Sequence, residues 1–241
     1  MESKSYYEEY WSDEGFKPTG RAGPALQRLF KQTVTPGRWL DVGCGDGRTA
    51  GLWLREHGCE YVGVDVSATA VEQARAAGLD ARLIEGAGAL PFESGEFDGI
   101  VCVEALEHIF RPDEAVRDLR RVLRPGGRLV LTVPNVAYWH QRLELFVGRW
   151  NPHGDDSSAE QPWRDPHVRF FTAEALTRLL LSSGFSSVRI GGLRGRLLGH
   201  VPGLARLRPA EPSAPTRFMQ RRRPSLFAMN LSAVAEVAAD S

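Results

Sequence analysis

The sequence predicts an α/β fold, a mostly parallel sheet with helices on both faces. Three observations predict it. Short apolar runs recur as strand candidates, helical stretches of roughly 10–12 residues separate them, and the first run, in LDVGCGDGR (40–48), ends in a glycine-rich turn. Strands that alternate with helices build βαβ units, whose parallel strands are covered on both sides.

Before the first strand lies a polar, aromatic segment carrying Tyr6, Tyr7, Tyr10 and Trp11. Arg38–Val42 reads as a short buried strand and Thr49–His57 as a helix stopped at Gly58. Glu60–Asp65 is strand-like again, and Ser67 is placed to cap a helix through Ala77 that stops at Gly78. Ala81–Glu85 and Phe97–Val103 are two further strands. Pro112 lies near the start of a helix running to Leu123, the turn Arg124–Gly127 closes it, and RLVLTVP follows as a fifth strand. From Asn135 to Phe171 the alternation breaks. Val136–Val147 suits an amphipathic helix, but NPHGDDSSAEQPWRDPH is irregular, and a loop of that length is more often functional than ornamental. Thr172–Ser183 resumes as a helix capped by Thr172, Ser187–Ile190 starts a strand, and Ser225–Ser232 is the last strand candidate.

The composition is that of an ordinary globular chain, with 42% hydrophobic and 25% charged residues among 241, enough for one well-buried core and an appendage. A formal net charge of zero removes any bulk attraction to nucleic acid or membrane, and no RNA-binding module is visible. The charge is unevenly spread: Arg189 to Arg223 holds nine arginines and one acid, Glu211. Cys44, Cys59 and Cys102 have no metal-ligand spacing, and so sparse and odd a set points to a reducing compartment. The N-terminal MESKSYYEEYW has no apolar signal core, and no apolar run reaches the length of a membrane span. The expected location is cytoplasmic.

Gly43, Gly45 and Gly47 alternate in the turn, giving G-x-G-x-G, one residue short of the dinucleotide fingerprint G-x-G-x-x-G. A turn between strand and helix offers its backbone N–H groups to a ligand. Asp65, at the end of the next strand, is placed to accept both ribose hydroxyls of a bound nucleoside. Asp41, just before the turn, adds negative charge that repels a pyrophosphate and favours a sulfonium or ammonium group. These residues point to a cationic nucleoside rather than a nicotinamide dinucleotide.

The ordered pieces LDVGCGDG, GVDVS, ALPFESGEFDGIVCVEALEHI and RVLRPGGRLVLTVPN, spanning about Trp39 to Asn135, resemble the class I S-adenosylmethionine (SAM)-dependent methyltransferases. The resemblance implies a Rossmann-like, seven-stranded, mostly parallel sheet whose last strand is antiparallel, with the site at the carboxyl ends of the strands. It implies SAM as cofactor and S-adenosylhomocysteine (SAH) as product. By it, Gly43, Gly45 and Gly47 wrap the methionine part, Asp65 binds the ribose, Val66 flanks the adenine, and the loop around Ala87 lies by the adenine edge. The family often has an acidic residue where this chain has Gly86, so backbone groups of Gly86–Gly88 would have to replace it. The domain division is then an N-terminal aromatic lid over residues 1–37 and a SAM-binding domain over 38–241. A substrate-cover insertion at about 135–171 and an arginine-rich segment at about 194–225 interrupt that domain.

VEALEHIFRP (103–112) sits where the fourth strand ends, facing the transferred methyl in this fold, so Glu104 belongs with the cofactor-binding set. Glu107 and His108 can be purely structural, shaping the turn and capping the next helix. Alternatively, Glu104, Glu107 and His108 join His167 of DPHVRFF in a cluster that resembles two metal-supported subfamilies, the small-RNA 3′-end methyltransferases and the ubiquinone-pathway O-methyltransferases. Two carboxylates and two imidazoles can hold a divalent ion that lowers the pKa of a substrate hydroxyl. His108 or His167 alone can act as general base near neutral pH. The expectation is that both histidines border the acceptor pocket, with metal dependence the less favoured outcome.

Tyr7, Trp11, Tyr138 and Trp139 are the lid and substrate candidates, because aromatic lids stack on substrates and exclude water. PNVAYWHQRLELFVGRW and DPHVRFFTAEAL loosely resemble the MetW-like proteins linked to methionine biosynthesis. The arginine-rich segment is either a solvated loop or a contact for an anionic substrate, partner or membrane surface. The expected reaction is O-methylation of a small biosynthetic molecule. N-methylation is one alternative, and a MetW-like protein acting by binding another enzyme is the other.

Overall fold

Alternating burial shows how the sheet divides the core. In β1 (Arg38–Val42), Trp39 faces one side and Leu40 the other. The same split separates Tyr61 from Val62 in β2 (Glu60–Asp65), Val101 from Ile100 in β4 (Phe97–Val103), and Val130 from Leu129 in β5 (Leu123–Pro134). A period of two with apolar residues in both phases gives a strand buried on both faces. The computed structural model describes residues 2–12, 20–148, 167–195 and 214–239. The central parts of the two expected irregular segments, 149–166 and 196–213, and residues 13–19 of the N-terminal segment lie outside them.

On one face, α2 (Pro24–Thr33) and α3 (Gly51–Glu56) supply Phe30, Trp53 and Leu54 to the Trp39 side, while α4 (Ala68–Ala76) packs Val71 and Ala74 with Cys44 and Ala81, and α1 (Glu2–Ser12) lies beside α4. The other face is closed by α5 (Pro112–Val122) through Val116 and Leu119, and by helix Ala173–Ser182 through Leu176 and Leu180. Phe30 is fully buried, so the second half of the expected lid segment packs into the core. Gly99 makes the Trp39 layer fit: a Cβ there would lie 2.4 Å from the indole.

With β3 (Ala81–Leu83), α6 (Trp139–Phe146), the helix just named as α7, β6 (Ser187–Arg194), α8 (Ala214–Arg222), α9 (Pro224–Phe227) and β7 (Asn230–Glu236), the sheet has the order β3-β2-β1-β4-β5-β7-β6. The first five strands are parallel; β7 lies antiparallel between β5 and β6. This is the expected seven-stranded, Rossmann-like sheet with its last strand reversed.

Several boundaries differ from expectation: α3 starts at Gly51 rather than Thr49, β3 ends at Leu83 rather than Glu85, and three further differences have a local cause. The stretch expected as strand 225–232 begins instead with α9, because Pro224 opens a helical turn with its fixed φ and missing N–H. β7 therefore starts at Asn230. The expected turn Arg124–Gly127 is an irregular part of β5, where Leu123 still pairs with Phe97 before the register shifts to Arg128 opposite Gly99. The helix expected from Val136 starts at Trp139, because Asn135 Oδ1 accepts the Ala137 N–H and Asn135 O accepts that of Tyr138, which holds the chain in a turn.

Candidate active site

The carboxyl ends of β1, β2, β4 and β5 open into a cavity of about 1360 Å³. That exceeds the roughly 300–1,000 Å³ of a site for one drug-sized ligand, so cofactor and acceptor fit together. One end is lined by Asp41, Gly43, Gly45, Asp65, Val66 and Ala87, and the other by Glu104, His108, Thr132, Arg194 and Asn230.

In the glycine turn, Gly43 has φ +72° and Gly45 φ +53°. Side chains are excluded there on two counts, the left-handed backbone and the lack of room. A Cβ on Gly43 would lie 2.5 Å from Ala105 Cβ, and one on Gly45 would lie 2.5 Å from the Trp11 ring. The N–H groups of the turn, expected to face a ligand, are engaged within the protein. Those of Gly43 and Cys44 both donate to Val64 O at 2.9 and 3.1 Å, and that of Gly45 donates to Asp65 Oδ2 at 2.8 Å. Gly47 packs toward Leu79 and is not among the residues lining the cavity. A turn whose donors are taken is a poor cradle for pyrophosphate and a close-fitting wall for a ligand without one.

Asp65 receives the Gly45 N–H on one oxygen and the Ser67 N–H, at 3.0 Å, on the other. Each oxygen keeps a further lone pair, and the residue lines the cavity. Burial pushes its carboxyl above the usual aspartate range, against the pull of the backbone N–H groups of Ser67 and Gly45. Asp41 is only 3% exposed and accepts the Tyr61 hydroxyl at 3.2 Å. Burial pushes its pKa up to about 7, opposed by the Tyr61 hydrogen bond and reinforced by the Asp65 charge.

Glu104 is the one non-glycine residue at positive φ (+50°) among the described residues. Its N–H donates to Thr132 O and Oγ1, and its Oε2 accepts from Asn230 Nδ2 at 2.6 Å, which holds this uncommon conformation from two neighbouring strands. Burial raises its carboxyl, while Thr132, Arg194, Asn230 and His167 pull it down.

The four candidate metal ligands divide three and one. Glu107, His108 and His167 offer ligand atoms that all lie within 4.8 Å of one another, whereas Glu104 belongs to the Asn230 pair. Glu107 is 1% exposed, with Oε1 3.9 Å from His108 Nε2 and 3.8 Å from His167 Nε2. The two imidazoles stack with centroids 4.8 Å apart. His167 is brought there through its neighbours: the N–H groups of Val168 and Arg169 donate to Glu107 O at 3.1 and 3.0 Å. His108 lines the cavity; His167 stands behind it and does not line it, contrary to the expectation that both would.

Of the aromatic candidates, Tyr7 and Trp11 line the cavity, together with Tyr10. Tyr138 and Trp139 do not: Tyr138 is 1% exposed, its ring drawn into the core where the Asn135 turn ends. Thr132 and Asn230 line the site without having been marked by the sequence, since nothing local separates them from ordinary strand residues; Arg194, which also lines it, opens the arginine-rich segment singled out there.

A profile described as a methyltransferase domain matches residues 14–190. The chain belongs to this methyltransferase family. Among its curated relatives is the methyltransferase GfsG of Streptomyces halstedii, 35% identical over 51% of this chain and 48% of its own length. This chain therefore spans about half the length of that relative. A ubiquinone biosynthesis O-methyltransferase of Idiomarina loihiensis is 28% identical over 76% of this chain and 77% of its own. Among solved structures, a SAM-dependent methyltransferase from Archaeoglobus fulgidus superposes with a TM-score of 0.62 at 18% identity, covering 88% of this chain and 90% of the other. The methyltransferase fold is thereby established, and SAM is the cofactor of the family. No helix among the described residues is long and apolar enough to cross a membrane.

Proposed function

We propose that this methyltransferase moves the methyl group of SAM to a hydroxyl of a small molecule. The observation that carries the reading is the glycine turn of the cavity, whose donors are engaged by Val64 and Asp65 while Asp41 and Asp65 face the ligand. That wall suits a cationic nucleoside without phosphate. The ribose hydroxyls donate to Asp65, and the methionine part lies along Gly43–Gly45. The name of the Idiomarina loihiensis relative supports oxygen as the acceptor atom.

Methyl transfer is an in-line displacement: the acceptor oxygen forms a bond to the methyl carbon as the carbon–sulfur bond breaks, and SAH leaves with the electron pair. SAM is already a strong electrophile, so the protein's remaining work is alignment and removal of the hydroxyl proton. His108, on the cavity wall, takes that proton. The buried Glu107 carboxylate behind it stabilises the resulting imidazolium, and His167 stacks on its far side.

The convergence of Glu107, His108 and His167 favours a second reading. Two imidazoles and a carboxylate suit a divalent transition metal, and the donor set fits one. Such an ion would lower the pKa of an acceptor hydroxyl. One experiment separates the versions: methyl-labelled SAM incubated with a metabolite extract, with and without chelator. The base reading expects labelled ether products in both, lowered about 10²–10⁴-fold by His108→Ala. Loss of product with chelator and recovery with Mn²⁺ or Zn²⁺ would move the assignment to the metal. SAH binding and a co-purifying enzyme, with no labelled product, would replace both with the partner-protein reading.

A further inference from the structure

Helix α1 lies across the cavity, yet none of its described side chains is fully buried. A helix with only half-buried side chains gains from a polar anchor, and Glu8 supplies one. One carboxylate oxygen accepts from Ser67 Oγ at 3.0 Å and Ala68 N at 2.8 Å. The other accepts from Thr69 N at 3.2 Å and from Thr69 Oγ1. These donors form the start of α4, where a carboxylate also meets the positive end of the helix dipole. The same stretch is wired to the cofactor end of the cavity, because the Ser67 N–H donates to Asp65.

The rest of α1 meets the site on both sides of this anchor. Trp11, one turn after Glu8, lays its ring against Gly45. Tyr7, one turn before Trp11, meets the His108 ring edge-on at 5.7 Å. The helix thus touches the glycine turn and the acceptor side at once.

Resting on the cofactor reading above, we infer that Glu8 is a positioning residue: it pins α1 over the cavity so that Trp11 and Tyr7 enclose the cofactor. The cofactor enters and leaves only when that carboxylate lets go of α4.

The test is the dissociation rate of SAH, measured by stopped-flow displacement for the full chain and for Glu8→Ala and Glu8→Gln, beside the melting temperature of each protein without ligand. Removing several charge-assisted hydrogen bonds from the anchor should raise the off-rate about tenfold or more in Glu8→Ala. Glu8→Gln, which keeps one acceptor oxygen, should fall between. Because no described side chain of α1 is fully buried, the unliganded melting temperature should stay within about 2 °C of wild type. KM for SAM should rise with kcat preserved at saturation. An unchanged off-rate in Glu8→Ala overturns the inference, and so does a faster off-rate that merely follows a fall in unliganded stability. Failure of the wild-type chain to bind SAH overturns the cofactor reading and the anchor with it, which the wild-type trace alone reveals.

Discussion

Asp41 holds a buried carboxyl beside Asp65, with one hydroxyl, that of Tyr61, to stabilise its charge. With its pKa raised to about 7, the folded protein binds a proton that the unfolded chain has released. Stability therefore declines as pH climbs from the ordinary aspartate range to about 7, and levels off above it. A cationic ligand reverses the preference, because its sulfonium and ammonium charges favour the ionised carboxylate. SAM should accordingly bind about tenfold tighter at pH 8 than at pH 6, with proton release near pH 7, and Asp41→Asn should flatten the profile. Titration calorimetry in two buffers of different ionisation enthalpy reads both; a pH-independent Kd in the wild type would remove Asp41 from the cofactor's surroundings. At this scale the sequence was informative where a residue's place in the strand order fixes where it sits, as for Asp41, Gly43, Gly45 and Asp65 on the cavity wall. It was silent on Glu8, whose partners Ser67–Thr69 lie some sixty residues away in the chain, and no local pattern encodes that pairing.

The start of β4 is tied to the start of β1 by one side chain. Asp98 accepts the Arg38 N–H at 2.7 Å and the Arg124 guanidinium on its other oxygen. The first of these chiefly, with the second, holds its carboxyl below the usual range. Its contribution is therefore complete above the unfolded aspartate pKa, near 4, and lost as pH falls through the lower folded value. Asp98→Asn should cost about 1–2 kcal/mol at pH 7 and progressively less in acid, read as a shift in urea midpoint at constant slope. An equal shift at pH 3 would contradict the argument. Strands whose apolar residues fill both faces, such as β1 and β4, could be located from sequence to within a residue. Elements whose limits depend on a local trap could not. Pro224 turns an apolar run into α9, and Asn135 delays α6, because each acts through turn geometry that hydrophobic periodicity does not register.

Across the whole molecule, β7 is the strand on which the distal part of the sheet depends. It is hydrogen-bonded to β5 on one side and β6 on the other, with Ala233 opposite both Leu131 and Ile190. Ala233→Pro removes a donor from an interior strand and should cost about 3 kcal/mol or more, so that cooperative thermal unfolding by circular dichroism is lost or moves sharply down. A melt like that of the wild type would mean that β5 and β6 hold their places without it. The same topology sets an order of events during synthesis. β5 and β6 leave the ribosome before the strand that must slide between them. Until β7 arrives, the nascent chain carries one raw strand edge at β5 and a solitary β6, both able to template the wrong partner. The antiparallel strand that completes the sheet also sets how long the growing chain stays exposed to misassembly.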